Sequence, residues 1–201
     1  RFFSWFARRS RKYYRKRGLS KTQQRLSDAV KSLGYEGARV LDIGCGVGFL
    51  HQKLLQDGAA TAVGVDLSER MLVEAESSAR EAALAERVDY RQGDFVEMAD
   101  NIPESDITVL DKVVCCYPNP EMLVGKSLEK TRRIYALTYP RGHLLNRLLM
   151  EVQAVFMRVI RCGFRPYVHD PDAIESWIIA QGFEKRMQHR SLVWITQVYA
   201  R

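Results

Sequence analysis

The chain has 201 residues, 46% of them apolar, and a net charge of +7. That length suits one globular domain with a sizeable core, and the apolar share excludes a disordered chain. No unbroken apolar run reaches roughly eighteen residues, so the sequence offers no membrane-spanning helix and a soluble domain is expected.

The charge is uneven along the chain. Arg1, Arg8, Arg9, Arg11, Lys12, Arg15, Lys16, Arg17, Lys21 and Arg25 all precede the first acid, Asp28, and the remaining chain carries 21 basic against 24 acidic residues, a balance of −3. The basic character belongs to an N-terminal arm over residues 1–19. Phe2, Phe3, Trp5, Phe6, Tyr13 and Tyr14 are interleaved with these cations, and helical spacing gathers Phe2, Trp5 or Phe6 and Tyr13 near one face. Such an arm could lie on an anionic membrane surface, contact a nucleic acid backbone or fold over the domain as a lid. The blandest reading is an amphipathic helix packed on its own domain, and nucleic acid is the least favoured partner. The chain opens on Arg1 rather than methionine, so a cleaved signal upstream would leave no trace in it. Cys45, Cys115, Cys116 and Cys162 lack any Cys-x-x-Cys or Cys/His ligand spacing, which reads as reduced thiols in a cytoplasmic protein.

The compact domain is expected from residue 20. Ser20-Lys21-Thr22-Gln23 has the pattern of a capping box, followed by Leu26, Ala29, Val30 and Leu33 at helical spacing, with Gly34 as the stop. Arg39-Val40-Leu41-Asp42-Ile43-Gly44-Cys45-Gly46-Val47-Gly48-Phe49-Leu50 then reads as strand, tight turn and helix. Glycines at 44, 46 and 48 allow positive φ and a close backbone approach to a nucleotide-like ligand. A dinucleotide fingerprint would place a small residue where Phe49 stands, which disfavours NAD, and a P-loop would need Gly-Lys-Ser/Thr after the turn, which Gly48-Phe49-Leu50 does not supply.

Three further runs follow at strand spacing. Ala62-Val63-Gly64-Val65-Asp66 is a buried strand ending in a carboxylate, at the distance expected for a group bonding ribose hydroxyls, and Ser68 caps a helix whose Met71, Leu72, Ala75 and Ala79 face inward. Arg87 to Gln92 ends in Gly93-Asp94-Phe95, and Asp106-Ile107-Thr108-Val109-Leu110-Asp111 ends in a second carboxylate. Strand and helix in alternation predict parallel pairing with helices on both faces, and ligands at the carboxyl ends of the strands. Lys112 to Pro120 holds Cys115, Cys116 and Tyr117; with no histidine or cation close in sequence beyond Lys112, the thiols read as buried small hydrophobes rather than nucleophiles.

The remainder supplies one more parallel strand, Ile134 to Pro140, and a long apolar helix from Leu144 to Ile160. Asp170-Pro171 opens a helix carrying Ile174, Trp177 and Ile178, Gly182 ends it, and two closing strands run over 183–190 and 192–199.

Val40-Leu41-Asp42-Ile43-Gly44-Cys45-Gly46-Val47-Gly48, with Asp66, Gly93-Asp94-Phe95 and Asp111 following in order, resembles the class I S-adenosylmethionine (SAM) dependent methyltransferases, in a bacterial branch of the small-molecule type. The resemblance implies an α/β, Rossmann-like fold with a mostly parallel seven-stranded sheet and an antiparallel C-terminal hairpin. It spans about residues 20–201, with a substrate-side insertion at about 141–169. It implies SAM as cofactor and S-adenosylhomocysteine as product, bound by Asp42, Gly44, Cys45, Gly46 and Gly48 at the first turn. Asp66 would hold the ribose, with Leu67 and Met71 beside it. Gly93, Asp94 and Phe95 would meet the adenine, and Asp111 would stand where the reaction centre opens. The nucleobase-methylating motifs of this superfamily, Asn/Asp-Pro-Pro-Tyr/Phe and Pro-Cys, are absent from 112–120.

Methyl transfer from SAM needs alignment and a dry site, and a base only where the acceptor arrives protonated. Candidates are His169, Tyr117 and Tyr139, followed by Tyr167 and His143; His169 could equally bond a backbone carbonyl. His51 and His189 read as ordinary surface or strand residues, and no side-chain cluster suggests a metal. The expected function is methyl transfer to a small molecule, hydrophobic or membrane-associated, by a cytoplasmic protein that could be peripheral to the membrane. The alternative is a SAM-binding module whose basic arm holds RNA or a protein partner without turnover. Asp66 and Asp94 together at strand ends favour the enzyme.

Overall fold

Alternation of apolar side chains along the strands divides the core in two. In β1 (Arg39–Ile43) Val40 faces one side of the sheet and Leu41 and Ile43 the other; in β4 (Ser105–Asp111) Val109 and Leu110 part in the same way. A computed structural model describes residues 2–159 and 165–201. Arg1, residues 160–164 including Cys162, and several side chains of the first and seventh helices, among them Phe2, Phe3, Trp5, Phe6, Leu145, Leu149 and Phe156, lie outside the described residues. The strands β2 (Thr61–Asp66), β3 (Val88–Gln92), β5 (Thr131–Pro140), β6 (Glu184–Arg190) and β7 (Trp194–Ala200) complete a seven-stranded sheet in the order β3-β2-β1-β4-β5-β7-β6. The first five pair in parallel, whereas β7 runs antiparallel to both β5 and β6. The parallel sheet and its C-terminal hairpin are those expected from the sequence.

Helices cover both faces. α2 (Lys21–Ser32), α3 (Phe49–Asp57) and α4 (Glu69–Glu81) press Leu26, Val30, Leu54, Leu55 and Ala79 against the Val40 side. α5 (Phe95–Met98), α6 (Pro120–Glu129) and α8 (Pro171–Ala180) press Phe95, Leu123, Ile174 and Ile178 against the Leu41 side. The cap signals operate as read: Ser20 and Gln23 form both halves of a capping box, and Ser68 and Asp170 cap α4 and α8. No element is expected from the sequence over 121–133, where most of α6 forms. Its signals are the Asn119 cap, Pro120 in the first turn and the buried Leu123, Val124 and Leu128.

The arm is α1 (Phe2–Arg17), laid on its own domain. Ala7 is fully buried, and the Tyr14 ring stacks on Phe49 at 3.7 Å with planes 6° apart. Arg11 bonds Glu74 of α4 at 2.8 Å and also pairs with Glu81. The helix thereby covers Val47, Phe49 and Met71, at the starts of α3 and α4. α7 (Leu144–Val159) is the opposite case, with Leu144, Leu148, Val152 and Val155 each more than 60% exposed along one stripe. Among the described residues no helix is long and apolar enough to cross a membrane.

Candidate functional site

At the carboxyl end of β1 the chain turns through Gly44, Gly46 and Gly48 at φ of +65°, +55° and +80°, a region costly for residues with a Cβ. What surrounds each glycine differs. A Cβ on Gly44 would stand 2.4 Å from Val113 Cγ2, and one on Gly48 would stand 2.7 Å from Gln52 Nε2 and 2.9 Å from the Tyr90 hydroxyl. A Cβ on Gly46 would meet nothing within 4 Å. Gly44 and Gly48 therefore make room for the protein's own side chains, and Gly46 alone of the three turns open backbone outward.

Asp66, ending β2, ties the turn to the next helix. Its Oδ2 accepts from Gly46 N and its Oδ1 from Ser68 N, both at 2.8 Å. Burial raises its pKa, and these two backbone donors oppose the rise. Each oxygen keeps a lone pair beyond the one engaged. Leu67, next in the chain, is 68% exposed, while Met71 is buried beneath the arm with Val47 and Phe49. Cys45 has its thiol raised well above its ordinary value, first by burial and then by Asp42 and Asp66.

At the end of β3, Gly93 N donates to the Asp66 carbonyl at 3.1 Å, and Asp94 caps α5 by accepting from Val96 N at 2.8 Å. The Tyr117 hydroxyl donates to the same carboxylate, 3.2 and 3.1 Å from its two oxygens. Burial and this carboxylate push the phenol up to about 12. Tyr117 and Asp94 lie 23 residues apart, so no local pattern could have paired them. Phe95, expected beside a base, is 4% exposed and packs in the core cluster with Ile43, Val65 and Ile102. As the first residue of α5 it is turned inward by the helix that Asp94 caps.

Asp111 ends β4. Its carboxyl is buried, and its Oδ2 lies 3.4 Å from Lys112 Nζ. Burial raises its pKa, against the pull of Lys112. Cys115 and Cys116 direct their thiols at the Lys112 carbonyl, at 3.3 and 3.2 Å. His169 closes this side, donating from Nε2 to the Tyr117 carbonyl at 3.0 Å, with Tyr167 stacked on its ring at 5.7 Å. Burial lowers its pKa, which keeps the ring neutral near pH 7.

Two further expectations are corrected. Tyr139 is 1% exposed and donates to Gln197 Oε1 at 2.6 Å within the core, so it has no approach to a substrate. His51, read as an ordinary surface residue, is fully buried under the glycine turn. Its Nδ1 stands 2.7 Å from Asp42 Oδ2 and its Nε2 3.0 Å from the Tyr90 hydroxyl. The available signal was spacing: position 51 is one helical turn from Gly48, on the side that α3 presents to β1. Asp42 itself is 3% exposed and faces this histidine.

The sequence model of the methyltransferase-domain family matches residues 40–142, which is 103 of the 201 residues. Among curated proteins, a ubiquinone biosynthesis O-methyltransferase of Azorhizobium caulinodans is 46% identical over 79 residues, 39% of this chain and 30% of the relative. One from Pseudomonas aeruginosa is 35% identical over 165 residues, 75% of this chain and 66% of the relative. The chain thus spans from about a third to two thirds of the length of these relatives. Among solved structures, a magnesium protoporphyrin IX methyltransferase from Synechocystis with bound SAH superposes with a TM-score of 0.71. Its identity is 23%, with 89% of this chain and 83% of that one covered, a likeness of fold. With the glycine turn, the strand-end acids and the family match in one order along the sheet, the chain belongs to the class I SAM-dependent methyltransferase family.

Proposed function

We propose that the protein binds SAM at the Gly44–Gly48 turn and directs its methyl group to an oxygen of a small, hydrophobic acceptor. The observation that carries this reading is the pairing of open backbone at Gly46 with the Asp66 carboxylate beside it. A nucleoside needs both, a wall without Cβ atoms and an acceptor for two hydroxyls. The residues fit a cationic group as well, since the charges of Asp42, Asp66 and Asp111 lie close enough at the strand ends for Asp42 to raise the pKa of the other two. The cleft of about 560 Å³ between α1 and α4 is the wrong place for such a group, being lined by Arg11, Lys12, Arg15, Lys16 and Glu74.

Within this reading Asp66 holds the ribose, with Leu67 and Met71 beside it. Asp94, with Gly93, takes the adenine amino group on the lone pairs that Val96 N and Tyr117 leave free. Bound there, SAM supplies a methyl group already activated by its sulfonium. The chain contributes position and a dry wall. His169 is the group placed to take a proton from an acceptor hydroxyl, because burial lowers its pKa although the Tyr117 and Val114 carbonyls, the first holding Nε2–H, oppose that shift. Tyr117, raised to about 12, serves as a donor that orients Asp94. An oxygen acceptor follows from the names of the relatives, and a hydrophobic one from the exposed apolar stripe of α7, in the segment that follows β5.

Calorimetric titration with SAM should give micromolar-class binding, on the order of 8 kcal/mol. Absence of binding to both SAM and S-adenosylhomocysteine would overturn the reading. The exposed cations of α1, Lys12, Arg15, Lys16 and Arg17 with Tyr13 among them, suit an anionic membrane surface. The full chain should float with anionic liposomes at low salt and be released at high salt. No flotation in either condition removes the membrane from the account.

A further inference from the structure

Under the glycine turn lies a set of buried polar side chains of which only Asp42 has a part in cofactor binding as described above. Asp42, His51 and Gln52 are each no more than 3% exposed. Ser78 Oγ donates to Gln52 Oε1 at 2.9 Å, and Gln52 Nε2 donates to the Tyr90 hydroxyl at 2.9 Å and to the Ala75 carbonyl at 3.1 Å. The Tyr90 oxygen is 3.0 Å from His51 Nε2 and 3.3 Å from the Ala75 carbonyl, and His51 Nδ1 is 2.7 Å from Asp42 Oδ2. Of the two acceptors open to the Tyr90 proton, the Ala75 carbonyl at 3.3 Å and His51 Nε2 at 3.0 Å, the nearer is His51, and the proton is assigned there. As acceptor at Nε2, the ring carries its N–H on Nδ1, pointing at Asp42. With that assignment every group in the set is satisfied, and every bond from Ser78 to Asp42 donates in the same sense.

A chain of donors aligned head to tail polarises each successive bond and ends here on a carboxylate. The same side chains account for two glycines. A Cβ on Gly48 would strike Gln52, Tyr90 and His51, and one on Gly64 would stand 3.0 Å from the Tyr90 ring. The turn is thus moulded on this network. Asp42 in turn acts on the open face of the site, since its charge raises the pKa of both Asp66 and Asp111.

We propose that Ser78, Gln52, Tyr90, His51 and Asp42 form a one-way hydrogen-bond chain that sustains negative charge at Asp42, so that the turn prefers a cationic nucleoside to its neutral counterpart. His51 and Tyr90 are then positioning residues that set specificity from behind the turn. The inference rests on the cofactor reading above. It adds that SAM, which carries a sulfonium, gains more from the chain than S-adenosylhomocysteine, which has lost that charge. Release of product is eased by the same difference.

The test is calorimetric titration of the full chain with each of the two ligands, for the natural protein and for Tyr90→Phe, His51→Leu and His51→Asn. Tyr90→Phe should weaken SAM by about fivefold and the product by less than about twofold. His51→Leu should lower the preference for SAM by about tenfold. In His51→Asn the amide N–H replaces Nδ1–H, and the preference should return to within about threefold of the natural value. Looser packing alone would weaken both ligands alike, and equal weakening in Tyr90→Phe, or none, overturns the inference while leaving the cofactor reading intact. If the natural protein binds neither ligand, the cofactor reading falls first. Should His51→Leu fail to fold, Tyr90→Phe, which removes one oxygen and little volume from the core, still decides the matter.

Discussion

Gly46→Ala should fold and lose its cofactor, whereas Gly48→Ala should lose stability. Both glycines lie at positive φ, which costs a residue with a Cβ roughly 1 to 2 kcal/mol at either place. The difference lies in the surroundings. At Gly46 the added methyl finds no atom within 4 Å, so the backbone cost is the whole of the effect on folding, and the melting temperature should fall by only about 2 to 8 °C. That methyl nonetheless occupies the one stretch of the turn left open, and SAM affinity should drop at least about tenfold through overlap with the ligand. At Gly48 the methyl enters a buried hydrogen-bonded group, 2.7 Å from Gln52 Nε2, 2.9 Å from the Tyr90 hydroxyl and 3.0 Å from His51 Cε1. Overpacking there adds about 1 to 3 kcal/mol to the backbone cost. Thermal melts and titrations on the two variants read the contrast directly; equal melting temperatures would contradict this division of the turn.

Asp66→Ala should weaken SAM by about 1 to 3 kcal/mol, a loss of roughly five- to 150-fold. Two effects combine in it. The ribose hydroxyls lose their acceptor, and Gly46 N and Ser68 N lose the oxygens that hold the turn against α4. Asp66→Asn should recover little, because its amide nitrogen must face one of two backbone donors that each require an oxygen. The same residue sets a limb of the pH profile. Burial places the Asp66 carboxyl above the ordinary aspartate range. On acidification it takes up its proton at a higher pH than an exposed aspartate would, and affinity that depends on the charged form begins to fall there. In Asp66→Ala that limb should vanish. Unchanged affinity in the alanine variant would remove Asp66 from the site.

Much of the framework was legible because its signals are local. Val40, Leu41 and Ile43 alternate at the period of a strand, Ser20, Ser68 and Asp170 sit one residue before helices they cap, and three glycines at alternate positions demand a turn. Such signals act through the backbone of neighbouring residues, so the order of letters carries them whole. α6 went unread although its Asn119-Pro120 start has the same form. The base candidates were harder to rank, because Tyr139 and Tyr117 are alike as letters; the core encloses the first with Gln197, and the second reaches Asp94.

The sequence by itself determined the class of fold, the place of the glycine turn and the acids at the strand ends, all of which follow from spacing along one stretch of backbone. Only the tertiary structure decided that His51 lies beneath that turn, that Tyr90 from β3 closes behind it, and that α1 rests on α4. These are meetings of side chains 9 to 63 residues apart. They depend on the register between strands and the rotation of each helix about its axis, and the packing of the two faces settles both at once.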